Sequence, residues 1–305
     1  MKNAMIIQNP NSGIGVSETT IQVFQNRLTS LGITSKLVLT KGPRNATEIM
    51  RRSPHYDVVF SLGGDGTLNE VVNGNQLRKD PMTICPLPTG SCNDVSRMLG
   101  YEKDLLDNLE LALEGDIRPI DIGSINGKAF TYVVGMGKFM HIPYETDREK
   151  KKKIGYLAYL KEGIKEFFET TKMYKSSIKL DGKEIKGNYS LILISNSNHI
   201  AGISNVYKDM KIDDDKFEVL LCKAKNKSSL VNSFIDFYFG NTPKQIETYQ
   251  AKEIKILLEE LPKKNWCVDG EKLEDKYFYY HIKANGKMDF LVPKNANPKI
   301  FEKRI

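Results

Sequence analysis

The stretch Ser61-Leu62-Gly63-Gly64-Asp65-Gly66-Thr67-Leu68-Asn69-Glu70 constrains this chain more than any other. It follows a short apolar run, Tyr56-Asp57-Val58-Val59-Phe60, which reads as a buried strand. Three glycines around one carboxylate let a backbone turn approach a ligand closely, with amides facing phosphate oxygens, because no Cβ blocks the approach. The pattern predicts that Thr67 caps a helix opening at Leu68, so that the turn ends at a positive helix terminus. A carboxylate at Asp65 is a poor phosphate contact. It is better suited to a divalent metal, or to a hydrogen-bonded water, that accompanies a nucleotide. An ordinary strand-to-helix turn would account for one or two of these glycines, but hardly for three together with an acid.

Strand and helix signals alternate over the first part of the chain. Strands are expected at Met5–Gln8, Lys36–Leu39, Tyr56–Phe60 and Thr83–Leu87. Helices are expected at Ser17–Leu31, capped by Ser17 and stopped by Gly32, and at Thr67–Asn73, Asn93–Leu99 and Asp104–Leu113. Asn45-Ala46-Thr47-Glu48 resembles a capping box that opens a further short helix. Such alternation predicts a mostly parallel sheet covered on both faces, with ligands at the carboxyl ends of its strands. Two more small-residue turns sit at such ends, Asn9-Pro10-Asn11-Ser12-Gly13 and Pro88-Thr89-Gly90-Ser91-Cys92-Asn93-Asp94. Three of them on one sheet edge point to a nucleotide cleft. A Gly-x-x-x-x-Gly-Lys-[Ser/Thr] loop is lacking, which excludes a P-loop kinase, and no Gly-x-Gly-x-x-Gly follows the first strand.

After about residue 120 the rhythm changes. Asn126-Gly127 and Asp181-Gly182 are two-residue hairpin signals between strand-like flanks. Leu191–Ser195, Phe217–Cys222, Lys252–Leu258, Tyr277–Ala284 and Met288–Val292 are further strand candidates, interrupted by helical intervals at Ile154–Thr170 and Ser228–Tyr238. The expected architecture is an α/β N-terminal domain with a mostly parallel sheet over residues 1–122, then an antiparallel, β-sandwich-like C-terminal domain over residues 123–293. The tail, 294–305, is a candidate to return to the first domain. With 305 residues, two cores are the default.

Composition narrows the function class. A hydrophobic fraction of 40% beside 27% charged residues is that of a globular enzyme. No apolar run approaches membrane-spanning length, and Met1-Lys2-Asn3 leads directly into a strand, so a cytoplasmic protein is expected. Cys85, Cys92, Cys222 and Cys267 form no Cys-x-x-Cys pair, which suggests neither a disulfide framework nor a zinc site. The net charge is +7, with a sharp basic cluster in Arg148-Glu149-Lys150-Lys151-Lys152-Lys153, followed at once by Ile154, Tyr156, Leu157, Tyr159 and Leu160. A solvated face is the first reading of that run. An anionic membrane surface, with cations at headgroups and aromatics at the interface, is the second. No nucleic-acid module accompanies the charge, so a nucleic-acid partner is not expected.

Several ordered motifs together resemble the diacylglycerol kinase catalytic family, in its bacterial soluble branch. They are Asn9–Gly13, Gly63–Glu70, Pro88–Arg97, Ile120-Asp121-Ile122-Gly123, Asp213–Val219 and Asp269-Gly270-Glu271. The Gly-Gly-Asp-Gly-Thr element alone is shared with NAD kinases and phosphofructokinases; the later motifs separate this chain from both. The resemblance implies ATP as phosphate donor, held by Asn9, Pro10, Asn11, Ser12, Gly13, Thr40, Gly64, Asp65, Gly66, Thr67, Leu68, Asn69, Glu70 and Ser91. It implies Mg2+ organised through acids matching Asp65, Asp94 and Asp121, and Glu271 as general base, with Asp65 the second catalytic acid. Ser91 stands where the family usually has threonine and keeps the hydroxyl. Taken alone, Trp266–Lys272 is simply a hairpin tip; the resemblance is what singles out Glu271.

The same resemblance implies a structural Mg2+ on the carboxylate of Asp214 and the carbonyls of Lys211 and Lys216, an oxygen-only set that suits the ion. Here the sequence departs from the pattern, with Asp215 where glycine is usual, and an acidic solvated turn is the alternative. The implied activity is transfer of the γ-phosphate of ATP to a lipid hydroxyl, with diacylglycerol giving phosphatidic acid. Open alternatives are a sphingoid base, phosphatidylglycerol or a soluble polyol as acceptor, or a nucleotide-binding regulator without transfer activity. The implied partner is a lipid at the membrane surface, contacted peripherally; a homodimer stays open.

Overall fold

The structure, a computed structural model, describes residues 1–13, 15–102, 104–137, 140, 172–200, 206–207, 209–226, 229, 232–233, 236–237, 239, 241 and 243–302. The basic cluster Arg148–Lys153 and the helical interval Ile154–Thr170 lie outside the described residues, as does part of Ser228–Tyr238.

The first half runs β1 (Asn3–Gln8), α1 (Glu18–Ser30), β2 (Thr34–Leu39), α2 (Asn45–Arg52), β3 (Val58–Gly63), α3 (Asp65–Gln76), β4 (Thr83–Pro88), α4 (Asp94–Met98) and α5 (Leu105–Leu113). Strands β2, β1, β3 and β4 lie side by side in that order and all pair in parallel. Ala4–Ile7 and Val58–Phe60 are fully buried without alternation, as parallel strands covered on both faces must be. On α1, Ile21, Phe24 and Leu28 recur at helical spacing and supply the buried face. The Phe24 ring meets Phe60 edge to face at 5.2 Å. Ser17 caps α1 by accepting from the Thr20 N–H at 3.1 Å, and Gly32 ends it in the left-handed region at φ +73°.

The second half adds β5 (Asp116–Ile125), β6 (Lys128–Phe130), β7 (Val133–Gly137), β8 (Tyr174–Leu180), β9 (Lys183–Tyr189), β10 (Leu191–Ser195), β11 (Phe217–Cys222), β12 (Ile246–Ala251), β13 (Glu253–Leu258), β14 (Cys267–Val268), β15 (Glu271–Lys272) and β16 (Tyr279–Val292). One sheet carries the order β12-β11-β10-β7-β14-β15. The other continues the parallel strands as β4-β16-β13-β8-β9, with β5 attached at β16 and β6 at β5. A second core, built on Ile178, Ile254, Ile256 and Ile282 from one sheet and Val134, Ile192, Ile194, Val219 and Leu221 from the other, fills the space between two antiparallel faces. The α/β half and the β-sandwich-like half are therefore both present. No helix among the described residues is long and apolar enough to cross a membrane.

Three local expectations need correction. Tyr277–Ala284, from Tyr279 on, and Met288–Val292 are parts of a single strand, β16, which pairs with β13 at one end and with β4 at the other. Asn285-Gly286 reads as a break, but it forms a bulge with Gly286 at φ +81°, and β5 pairs with β16 on both sides of it. Thr67 does not cap α3. That helix begins at Asp65 with Gly64 as its cap residue, and the Thr67 hydroxyl accepts instead from Asn9 Nδ2 at 2.9 Å. Nor does Asn45–Glu48 form a capping box: Asn45 is already helical, and Glu48 pairs with Arg51 and Arg52. The amides of Arg44 and Ala46 donate to the Glu70 carboxylate on α3, at 2.7 and 3.0 Å.

Residues after β16 pack onto the first half. Ala296, Ile300 and Phe301 are buried in the same cluster as β1, β3 and β4.

Candidate active site

Three turns leave the carboxyl ends of β1, β3 and β4 and touch one another. The Asn9 amide donates to the Leu62 carbonyl at 2.9 Å and the Thr89 amide to the Gly63 carbonyl at 3.1 Å. A Cβ on Gly90 would lie 2.5 Å from the Gly64 Cα, and one on Gly13 would lie 2.2 Å from the Thr89 carbonyl oxygen. Only glycine at these two positions lets the turns close on each other. Asn9 folds its own turn by accepting from the Asn11 amide at 3.0 Å. Asn93, in the left-handed region at φ +56°, staples the third turn by accepting from the Gly90 amide at 2.9 Å and donating to the Gly90 carbonyl at 2.8 Å. Ser12 and Thr40 are buried beside this edge and Ser91 is half-buried. The N-terminus of α3 opens among the three turns with no side chain capping it, a geometry that receives anions.

Acids stand at the same edge. Asp65 begins α3, Asp94 begins α4, and the Val95 amide donates to Asp65 Oδ1 at 3.3 Å. Burial pushes the Asp65 carboxyl up to about 7, the negative charge of Asp94 adds to the rise, and the amides of Asp94 and Val95 oppose it. A divalent cation between the two carboxylates would relieve both burial and repulsion, so their chemistry fits the ion that the resemblance implies. Among the described residues no group of three or more His, Cys, Asp and Glu forms a cation cage.

Asp121 has partners of its own: its buried carboxylate accepts from the Asp215 amide and faces the Lys287 ammonium.

Glu271 reaches the cleft from the second half. It follows a hairpin tip in which Asp269 and Gly270 have φ +47° and +82°, both positive as a type I′ turn requires. Glu271 is exposed, and its Oε1 lies 2.9 Å from where a Cβ on Gly66 would stand. The absence of a side chain at Gly66 leaves room for this carboxylate beside the first turn of α3.

Asp269 holds the hairpin tip in place. It is 1% exposed and accepts five hydrogen bonds. Oδ2 takes Asn69 Nδ2 at 2.7 Å, the Thr131 amide at 2.6 Å and the Thr131 hydroxyl at 2.8 Å. Oδ1 takes the amides of Tyr132 and Val133, each at 3.0 Å. Burial pushes its carboxyl up, and those amides pull it down. Asn69 and Asn73 also donate to the Ala129 carbonyl, at 3.1 and 3.3 Å, so α3 is latched to β6 as well.

The sequence-predicted residues thus divide. Asn9, Ser12, Gly13, Gly64, Asp65, Gly66 and Thr67 meet at the cleft together with Glu271. Pro10 and Asn11 are exposed on the first turn. Leu68 is buried in the first core and its amide is bonded to the Gly64 carbonyl. Asn69 serves Asp269, and Glu70 caps α2. In the 211–216 loop, Asp214 Oδ1 accepts from the Lys216 amide at 3.1 Å and the Lys211 ammonium donates to the Lys299 carbonyl. Sequence reasoning named Asn93 and Asp269 only as members of motifs, with no role of their own, and passed over Asn73 and Lys287.

Comparison with known proteins bears on this arrangement. The family described as diacylglycerol kinase catalytic domain matches residues 3–125. The diacylglycerol kinase of Bacillus subtilis is 30% identical over 234 residues, covering 76% of this chain and 77% of its own length. That of Staphylococcus saprophyticus is 29% identical over 272 residues, covering 88% and 89%. A crystal structure of a diacylglycerol kinase from Bacillus anthracis superposes with a TM-score of 0.75 at 22% identity, covering 98% of both chains, a likeness of fold.

Proposed function

The chain belongs to the diacylglycerol kinase family, and from that premise we propose that it transfers the γ-phosphate of ATP to the hydroxyl of diacylglycerol, yielding phosphatidic acid and ADP. The observation that carries this reading is the approach of Glu271 to Gly66, which sets a carboxylate from the second half over an open helix N-terminus beside Asp65 and Asp94.

Phosphoryl transfer asks for positioning and neutralisation of oxygen charge more than for covalent help. In this reading the turns at Asn9–Gly13, Gly64–Glu70 and Pro88–Asn93 hold the nucleotide phosphates through backbone amides. Asp65 and Asp94 would hold Mg2+, which when bound neutralises phosphate oxygen charge. Glu271 orients the lipid hydroxyl and accepts its proton as that oxygen bonds to phosphorus and the bond from phosphorus to the ADP oxygen breaks. The lipid is presented at a membrane surface, and the Arg148–Lys153 cluster is the segment we assign to anionic headgroups.

Labelled ATP offered with diacylglycerol, a sphingoid base, phosphatidylglycerol and a soluble polyol tests the acceptor. Label should enter diacylglycerol first; hydrolysis that ignores lipid, or binding without turnover, would refute a lipid kinase. Glu271→Gln should lower kcat by roughly 10²–10⁴-fold and keep ATP affinity. Replacing Lys150–Lys153 with glutamine should weaken sedimentation with anionic vesicles at low salt, and unchanged sedimentation would remove that segment from the reading.

A further inference from the structure

The loop 211–216 carries three consecutive carboxylates, and each is already engaged. Asp213 Oδ1 accepts from the Glu302 amide at 2.7 Å, Asp214 Oδ1 from the Lys216 amide at 3.1 Å, and Asp215 Oδ2 lies 3.8 Å from the Lys252 ammonium. A further cation at this loop is Lys287. Its Nζ lies 3.3 Å from Asp121 Oδ1 and 3.5 Å from Asp215 Oδ1, and it donates to the Asp213 carbonyl. Two carboxylate oxygens and a backbone carbonyl around one positive charge is the kind of oxygen set a hard divalent ion takes.

Two features build this arrangement. The bulge between Ala284 and Lys287, with Gly286 at φ +81°, re-aims the side chain at position 287. Asp215 stands where the resembled family has glycine; it holds φ +61°, a region that Asp tolerates better than most residues. Its amide donates to Asp121 Oδ2 at 2.6 Å, which pins the turn to β5. Asp121 is fully buried, and beside Asp215 it would be an uncompensated charge without a cation. Burial pushes its carboxyl up to about 6, against the pull of the Asp215 amide and the Lys287 ammonium. Additional ties hold the loop from the other side, where the Ile212 amide donates to the Ile300 carbonyl at 2.9 Å and the Asp121 amide to the Ile212 carbonyl at 2.8 Å.

We propose that Lys287 is a built-in counter-ion that organises the 211–216 loop in place of a divalent cation, so that this loop folds without metal. Lys287 is a positioning residue acting through Asp121, Asp215 and the Asp213 carbonyl. This departs from the structural Mg2+ that the resemblance implies on Lys211, Asp214 and Lys216, and it stands or falls independently of the catalytic reading.

Thermal unfolding of the nucleotide-free protein in chelator and in Mg2+ tests it. The parent's midpoint should respond to Mg2+ only as far as Asp65 and Asp94 do, a response that every variant shares. Lys287→Met should melt lower in chelator by roughly 2–5 °C, because the Asp121 carboxylate is fully buried while Lys287 and Asp215 are each partly exposed, and should recover part of the loss in Mg2+. Lys287→Arg should behave as the parent. Asp65 and Asp94 are untouched in every variant, so any response of theirs to Mg2+ is common to all and subtracts out. A parent midpoint that responds to Mg2+ as strongly as the Met variant overturns the proposal, as does a Met variant that melts with the parent or gains nothing from Mg2+. Should Lys287→Met not fold, the pair Asp121→Asn with Lys287→Met removes the buried negative charge along with its ammonium and keeps an oxygen for the Asp215 amide. That pair should fold, and its failure to do so would overturn the proposal equally.

Discussion

Asp269→Asn isolates what the buried carboxylate at the hairpin tip does. The substitution keeps shape and removes one acceptor oxygen. Placing the amide oxygen towards Asn69 and Thr131 preserves three of the five bonds, and then the new NH2 group faces the amides of Tyr132 and Val133, donor against donor. The opposite placement leaves three donors facing the NH2 group, of which the Thr131 hydroxyl can rotate away. Either way two buried N–H donors lose their acceptor. Each unsatisfied buried donor costs about 1–3 kcal/mol, which gives about 2–6 kcal/mol in all. At 1% exposure no solvent reaches the group to soften that figure. Asn is neutral and so avoids the burial penalty of the carboxylate, which places the expected loss at about 2–4 kcal/mol, a large share of a typical stability of about 5–15 kcal/mol.

The assay is urea unfolding at pH 7 beside steady-state kinetics. Besides the loss of stability, kcat should fall at least ten-fold because the turn that carries Glu271 is no longer fixed, whereas ATP affinity should change by less, the three glycine turns being intact. A variant within about 1 kcal/mol of the parent and with unchanged kcat would show that the five hydrogen bonds neither hold the tip nor place Glu271.

Gly90→Ala would put a Cβ 2.5 Å from the Gly64 Cα, a clash with backbone that no rotamer relieves, and should weaken ATP binding at least ten-fold by calorimetry; unchanged affinity would separate this contact from the nucleotide site. The Asp65 carboxyl, raised to about 7 from an ordinary value near 3.8, gives a stability term of defined sign. A carboxyl whose folded-state pKa is raised contributes stability below its unfolded pKa and loses it as pH rises through the folded one, so the metal-free protein should lose stability between about pH 4 and 7. Asp94→Asn removes the like charge that helps to raise Asp65 and should shift that loss to lower pH; melting curves whose pH dependence is the same in both proteins would refute the pairing.

The parallel strands were legible because Ala4–Ile7 and Val58–Phe60 are apolar without alternation, and the hairpins at Asn126-Gly127 and Asp181-Gly182 because positive φ leaves a local chemical mark. What escaped was set by partners far along the chain. The cap of α2 comes from Glu70, 26 residues beyond Arg44. The donors to Asp269 at Thr131–Val133 lie 136–138 residues before it. Asn285-Gly286 has the chemistry of a turn, and only pairing with β5 on both sides makes it a bulge inside one strand. At the site, glycine spacing pointed to Gly64 and Gly66, but nothing local announced that Gly66 leaves space for a glutamate from another sheet.

The placement of that glutamate follows from helix geometry. Gly66, Asn69 and Asn73 lie three and four residues apart on α3 and so share one face, which is turned towards β6 and the hairpin tip. Asn69 is bonded to Asp269, and Asn73 donates to the Asn69 carbonyl at 2.8 Å and accepts from the Ala129 amide at 3.2 Å. Glu271 lies two residues beyond Asp269, and Gly66 lies one helical turn before Asn69 towards the N-terminus. Fixing the Asn69–Asp269 bond therefore fixes the backbone from which Glu271 approaches Gly66, one turn further along the same helix face. The helix whose N-terminus opens among the three glycine turns is thus also the ruler that sets the distance from those turns to the carboxylate, so a change on that face, even one remote from any phosphate, alters the reach of Glu271.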